Sequence, residues 1–161
     1  MIMLFTRFAF AFVLPLIACL TTPLPALAQD WSEPTRGSKV RQDLMDAIRP
    51  HAEWQLGAPV QFVVDTLRLS GDRALAFLSP KRPGGGPIDV TTVPAVLRGD
   101  WRVDGDGYLE DMDGLSIMAL LVKSGDTWVA QHFSIGATDL WISAPDICAD
   151  YIIVMSDFCY R

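Results

Sequence analysis

The stretch VQFVVDTLRLSGDRALAFL, residues 60–78, decides the fold. Val60 to Leu69 is rich in β-formers: Val60, Phe62, Val63, Val64, Thr66 and Leu67. Ser70-Gly71-Asp72-Arg73 follows, and Ala74 to Leu78 returns as an apolar run. Two such runs around a glycine–aspartate pair predict an antiparallel hairpin, because glycine supplies positive φ and aspartate caps the turn. The stretch LSIMALLVKSGDTWVAQHFSI, residues 115–135, has the same shape. Leu115 to Lys123 reaches Ser124-Gly125-Asp126-Thr127, and Trp128 to Ile135 returns. The shared Ser-Gly-Asp could mark an internal repeat, but common turn chemistry accounts for it.

Upstream of the first hairpin the period changes. Val40, Leu44, Ala47, Ile48, Ala52 and Leu56 fall at three- and four-residue spacings, which predicts an amphipathic helix from Ser38. Lys39, Arg41, Asp43, Asp46, Arg49 and Glu53 fill its other face. Pro50 removes a backbone donor and is expected to kink or split this helix. Gly57 and Pro59 stop it. Between the hairpins, Lys81 to Pro87 is too rich in glycine and proline for regular structure. Ile88 to Val93 reads as a short edge strand ended by Pro94. Ala137 to Arg161 reads as a short extended or helical tail.

The order is helix, hairpin, long loop, hairpin, tail. An α+β fold satisfies it, with an N-terminal helix packed on a four- to five-stranded antiparallel sheet. Over residues 38–136 this order resembles the cystatin-like and NTF2-like group of small folds. The strand from Trp128 to Gly136 is similar to the closing strand of many secreted bacterial members. The group includes enzymes, ligand carriers, inhibitors and assembly modules, so the resemblance implies a fold and no catalytic residue.

The first 28 residues read as an export leader. Arg7 is the only charge before Asp30, Phe8 to Leu20 is apolar, and Ala26-Leu27-Ala28 forms a cleavage site. The apolar run is shorter than the roughly 20 residues that a membrane span needs. Leu16-Ile17-Ala18-Cys19 also resembles a bacterial lipobox, so lipidation at Cys19 stays open as a second route. Residues 29–37 then form a lead-in, and residues 38–161 form one domain. The expected location is periplasmic or secreted, with a membrane-anchored lipoprotein as the alternative.

Nineteen acidic residues stand against thirteen basic ones, a net charge of −6 that becomes −7 when Arg7 leaves. That balance disfavours nucleic acid, whose phosphates need neutralising. Loss of Cys19 leaves Cys148 and Cys159, which an oxidising compartment would pair as a clip on the tail.

No motif specifies a cofactor. Asp104, Asp106, Glu110, Asp111 and Asp113 form the densest carboxylate run, yet their spacing breaks EF-hand grammar, and a solvated acidic loop is the plainer reading. Arg82 to Asp89 is glycine-rich, but it lacks the Gly-Lys-Ser/Thr helix start of a phosphate loop. His132 and Asp139 could make a general-base pair, against the alternative of a half-buried structural histidine. Strand alternation places His132 on the face of Trp128 and Ala130. His51 has no evident partner. Trp54, Trp128 and Trp101 are expected in the core, while Trp31 and Trp141 either pack under the tail or form a contact surface. The functional expectation is a non-catalytic module for an unidentified protein or small ligand. An acidic inhibitor of a basic secreted enzyme and a small pocket enzyme using His132 and Asp139 are the alternatives.

Overall fold

In the computed structural model, which describes residues 30–102 and 108–159, helix α1 spans Lys39–Leu56. The Ser38 hydroxyl opens it by accepting from the Arg41 amide at 3.3 Å, one of the donors that a helix start leaves orphaned. Leu44, Ile48, Ala52 and Leu56 are its buried stripe. The expected break at Pro50 does not occur, and α1 runs through it as one helix. Pro50 is exposed, so water can solvate the carbonyl that it frees, and the burial of Ile48 and Ala52 on either side holds the helix together.

Gly57, at φ +78°, ends α1, and the last turn carries no basic residue of its own. Two distant arginines take that place. Arg82 donates to the carbonyls of Leu56 at 2.7 Å, of Pro59 at 3.2 Å, and of Gly57. Arg98 donates to the Trp54 carbonyl at 2.9 Å. Cations at this end complement the helix dipole and satisfy orphan carbonyls. The start of the glycine-rich stretch is therefore a helix cap supplied from another part of the chain.

Four strands follow: β1 Gln61–Ser70, β2 Arg73–Lys81, β3 Ile117–Ser124 and β4 Thr127–Ile135. They form one antiparallel sheet in the order β1-β2-β3-β4. Both hairpins turn on Gly-Asp pairs, with Gly71 at φ +56° and Gly125 at φ +59°. The expected edge strand over 88–93 is instead a 3-10 turn at Val90–Thr92. The Asp89 carboxylate accepts from the Thr91 amide at 3.0 Å and its hydroxyl at 2.7 Å, which winds the chain into a turn rather than a ladder. Two short helices follow, α2 Pro94–Leu97 and α3 Tyr108–Asp111.

Two bulges reset the alternation of side chains. Asp65 is the extra residue in β1 and Gln131 the extra residue in β4. Trp128 and Ala130 before the second bulge, and Phe133 and Ile135 after it, all join the α1-side core. His132 is thereby turned to the opposite face from Trp128 and Ala130, contrary to the simple alternation.

That opposite face has its own core. Helix α4, Pro145–Met155, lays Tyr151, Val154 and Met155 against Leu75 and Leu120, with Ile142 from the preceding 3-10 turn. Cys148 is disulfide-bonded to Cys159, which clips the start of α4 to the chain just beyond it. Trp31 and Trp141 pack here, under the tail. Arg68 of β1 ties the layer together. It pairs with Asp157 through both terminal guanidinium nitrogens and donates to the Val154 carbonyl at 3.2 Å. The Trp31 ring centroid lies 4.5 Å from its guanidinium carbon, and that of Phe158 lies 5.5 Å away. Ser32 bridges Leu69 through both backbone bonds, each 2.9 Å.

Trp101 and Trp128 are buried as expected. Trp54 is not in the core: it is 67% exposed, with its ring under the Arg98 guanidinium at 4.4 Å. It lies two residues from both Ala52 and Leu56, off the stripe that faces the sheet.

Arg82→Ala is expected to destabilise the fold by about 1 kcal/mol, the loss of charged hydrogen bonds to partly buried carbonyls, as read from urea unfolding. Asp157 gives a pH signature. Its hydrogen bond from Arg68 holds the carboxyl below the ordinary carboxylate value. The stabilisation is therefore complete above that ordinary value, about 3.9, and is lost as pH falls through the lowered one. The side chain is 54% exposed, so solvent screening keeps the effect at about 1 kcal/mol or less. Asp157→Asn should lower stability at pH 7, and its deficit should vanish towards pH 2.

Candidate functional site

The residues singled out by sequence are not brought to one place. His132 is half-buried against the α4 layer, 5.9 Å from the Tyr151 ring and 6.2 Å from that of Trp141. Asp139 is exposed, and among the described residues no hydrogen bond or ion pair joins it to His132. His51 meets Phe133 at 5.5 Å, a ring partner that linear reading could not find. Glu110 and Asp111 lie in α3, and Asp113 follows it. Asp104, Asp106 and Cys19 fall outside the described residues, as does the whole leader. Among the described residues, no group of three or more His, Cys, Asp or Glu is placed to hold a metal ion.

The aromatic layer around His132 is held by polar contacts. The Tyr151 hydroxyl donates to the Gln131 side-chain carbonyl at 2.9 Å. The Trp141 indole donates to the Ser134 hydroxyl at 2.9 Å. Arg73 lies over the Tyr151 ring at 5.5 Å. Burial pushes the Tyr151 phenol above its ordinary value, with Arg73 opposing in part. These contacts lock the rings in place and describe a packed layer.

A different feature has the form of a receptor surface. Between α1 and β1 runs a groove of about 460 Å³. Helix α1 supplies Arg41, Met45 and Arg49, each four residues from the next and so on one flank. Residues Gln61 to Val64 of β1 form the other wall, and Arg36 of the lead-in stands at the rim. Both ends are anchored. At one, Arg49 donates to the Val60 carbonyl, and Glu53 accepts the Val60 amide at 3.0 Å. At the other, Arg41 donates to the Pro34 carbonyl at 2.9 Å. The α1 residues that grip Val60 thus set the distance between helix and strand.

Arg41 and Arg49 are held through main-chain carbonyls, and their acidic partners are the looser contacts. Glu33 approaches Arg41 at 3.4 Å and Asp46 approaches Arg49 at 3.7 Å, through carboxylates that are 65% and 71% exposed. Such pairs stabilise a fold weakly. Arg36 is exposed and has no ion pair among the described residues. Arg49 also lies 5.1 Å from the Phe62 ring, so the wall is apolar beneath and cationic above. Sequence reading assigned Arg41 and Arg49 to a polar helix face, which was correct but hid their shared direction. Their spacing of eight was the available signal.

A smaller hollow of about 280 Å³ lies between α1 and the β3–β4 turn, where Asp43, Asp46 and Asp126 surround Lys39 and Trp128. It has the opposite charge.

The Tyr151 phenol must stay neutral to remain buried, so stability falls as pH rises through its raised value. Of the three tyrosines, Tyr151 is expected to give a tyrosinate absorbance component later than the ordinary value of about 10, and Tyr151→Phe should remove that component alone. No protein-family model, curated protein or solved structure matches the chain.

Proposed function

We propose that this chain is an exported, non-catalytic binding module that receives its partner in the groove between α1 and β1. In this reading residues 1–28 are removed after Ala28, and the folded part works in the periplasm or outside the cell. Processing at Cys19 would instead leave it tethered by lipid. The α+β order of elements supports a cystatin-like or NTF2-like architecture, a frame that hosts binding modules as readily as enzymes. The disulfide between Cys148 and Cys159 suits an oxidising compartment.

The observation that carries the reading is the groove itself: a concave strip lined by Met45, Phe62 and Val64 together with three arginine side chains. Convergent polar groups over an apolar floor are the usual form of a binding site. A second reading, inhibition of a basic secreted enzyme, draws on the hollow at Asp43, Asp46 and Asp126, whose carboxylates would meet a cationic surface.

Two measurements test this. Intact mass of the protein from its native host should start at Gln29 and fall two hydrogens short of the reduced value. A mass with acyl chains on Cys19 would support the lipoprotein route, and a mass starting at Met1 would overturn export. Amide spectra of labelled protein with native periplasmic extract should then shift at Arg41, Met45 and Gln61 to Val64. Shifts centred on His132, Trp141 and Tyr151 would move the functional site to the other face and overturn the groove reading.

A further inference from the structure

The outer edge of β1 is open along the groove. Sheet order leaves β1 with one neighbour, and among the described residues the only main-chain bridge on its other side is Ser32 to Leu69. Edge strands are normally blunted by lysine, proline or cover, because their free amides and carbonyls recruit other chains. Gln61 to Val64 carries no lysine or proline and Val63 is 51% exposed; the bulge at Asp65 bounds this open stretch on its C-terminal side.

Resting on the reading of this groove as the binding site, we propose that its ligand is an extended acidic peptide. The peptide adds as a fifth strand on the outer edge of β1 and sets its carboxylates against Arg36, Arg41 and Arg49. Main-chain bonds to the edge provide attachment, and side chains facing the helix provide selectivity. The spacings agree. Four helical residues rise about 6 Å, so Arg41, Met45 and Arg49 repeat at that interval. Two strand residues rise about 6.7 Å. Alternate side chains of an added strand therefore keep step with the helix, and an acidic, apolar, acidic order matches Arg41, Met45 and Arg49.

Charge decides between occupants. Arg36 is exposed, Arg49 is 36% exposed and Arg41 15% exposed; the last two keep their bonds to the Val60 and Pro34 carbonyls, while an incoming carboxylate replaces the exposed Glu33 and Asp46. A basic peptide would set like charges together. A second copy pairing β1 against β1 would bring two arginine sets to one symmetric contact, with the same penalty.

The probe is acetyl-Thr-Glu-Thr-Val-Thr-Glu-Thr-amide, titrated into labelled full-length mature protein. Amide shifts should centre on Gln61 to Val64, Arg41 and Met45. Replacing both glutamates by lysine should abolish binding. Two N-methylated versions, blocking alternate amides, should differ, because only one set faces the edge. Arg36→Glu should weaken the acidic peptide about fivefold at low salt, since it reverses an exposed charge that serves no ion pair in the fold. Equal binding of the lysine peptide would overturn the acidic preference. Equal binding of both methylated forms would overturn strand addition. Amide shifts at Gln61 to Val64 that depend on protein concentration without peptide would assign the edge to self-association and overturn the inference. If extract shifts the groove but the acidic peptide does not, the binding site stands and this inference falls. If neither does, both fall.

Discussion

The two central strands carry apolar side chains on both faces, and a sheet of that kind has to be covered twice. In β2, Ala74, Ala76 and Leu78 face α1 while Leu75 faces α4. In β3, Ile117, Ala119 and Leu121 face α1 while Leu120 faces α4. The alanines let α1 sit close to the sheet. The leucines on the other side need a second layer, and α4 with its disulfide clip supplies it. The arrangement is three layers with two separate cores. The positions of Arg68, Trp31 and Phe158 follow from that second core, since they seal its rim.

Much of this was legible in the sequence and some was not, for physical reasons. Turn chemistry is local, so Gly71-Asp72 and Gly125-Asp126 announced both hairpins. Helical period is local too, so the stripe from Leu44 to Leu56 announced α1. The second covering layer was signalled only indirectly: Ala74 to Leu78 and Ile117 to Val122 are apolar without alternation, as strands buried on both faces are. A bulge is a property of two strands in register, so nothing in the order of residues 127–135 reveals that Gln131 is left over. His132 therefore went to the wrong face on paper. The arginine caps were hidden for a similar reason, because Arg82 acts 25 positions from Gly57.

The same limits governed the functional reading. Motifs in chain order drew attention to His132, Asp139 and the acidic run, yet the first two do not meet. Arg41 and Arg49 are ordinary helix-surface residues until β1 is laid beside them. Their direction is then set by Val60, whose carbonyl Arg49 holds and whose amide Glu53 holds. A contact that serves the packing of α1 thus also aligns the wall of the groove. The fold positions this surface by ordinary structural bonds, with no left-handed backbone among the residues that line it.

The second core has a further consequence, in the order of synthesis. Its closing elements, Trp141 to Cys159, are the last of the described segments to be made. The four strands can pair before then, but Leu75 and Leu120 stay bare until the final helix arrives. From the completion of β4 until the segment Trp141 to Cys159 docks, the sheet therefore carries a bare apolar face. A product that stops short of this segment keeps an apolar patch of the kind that chaperones and proteases recognise.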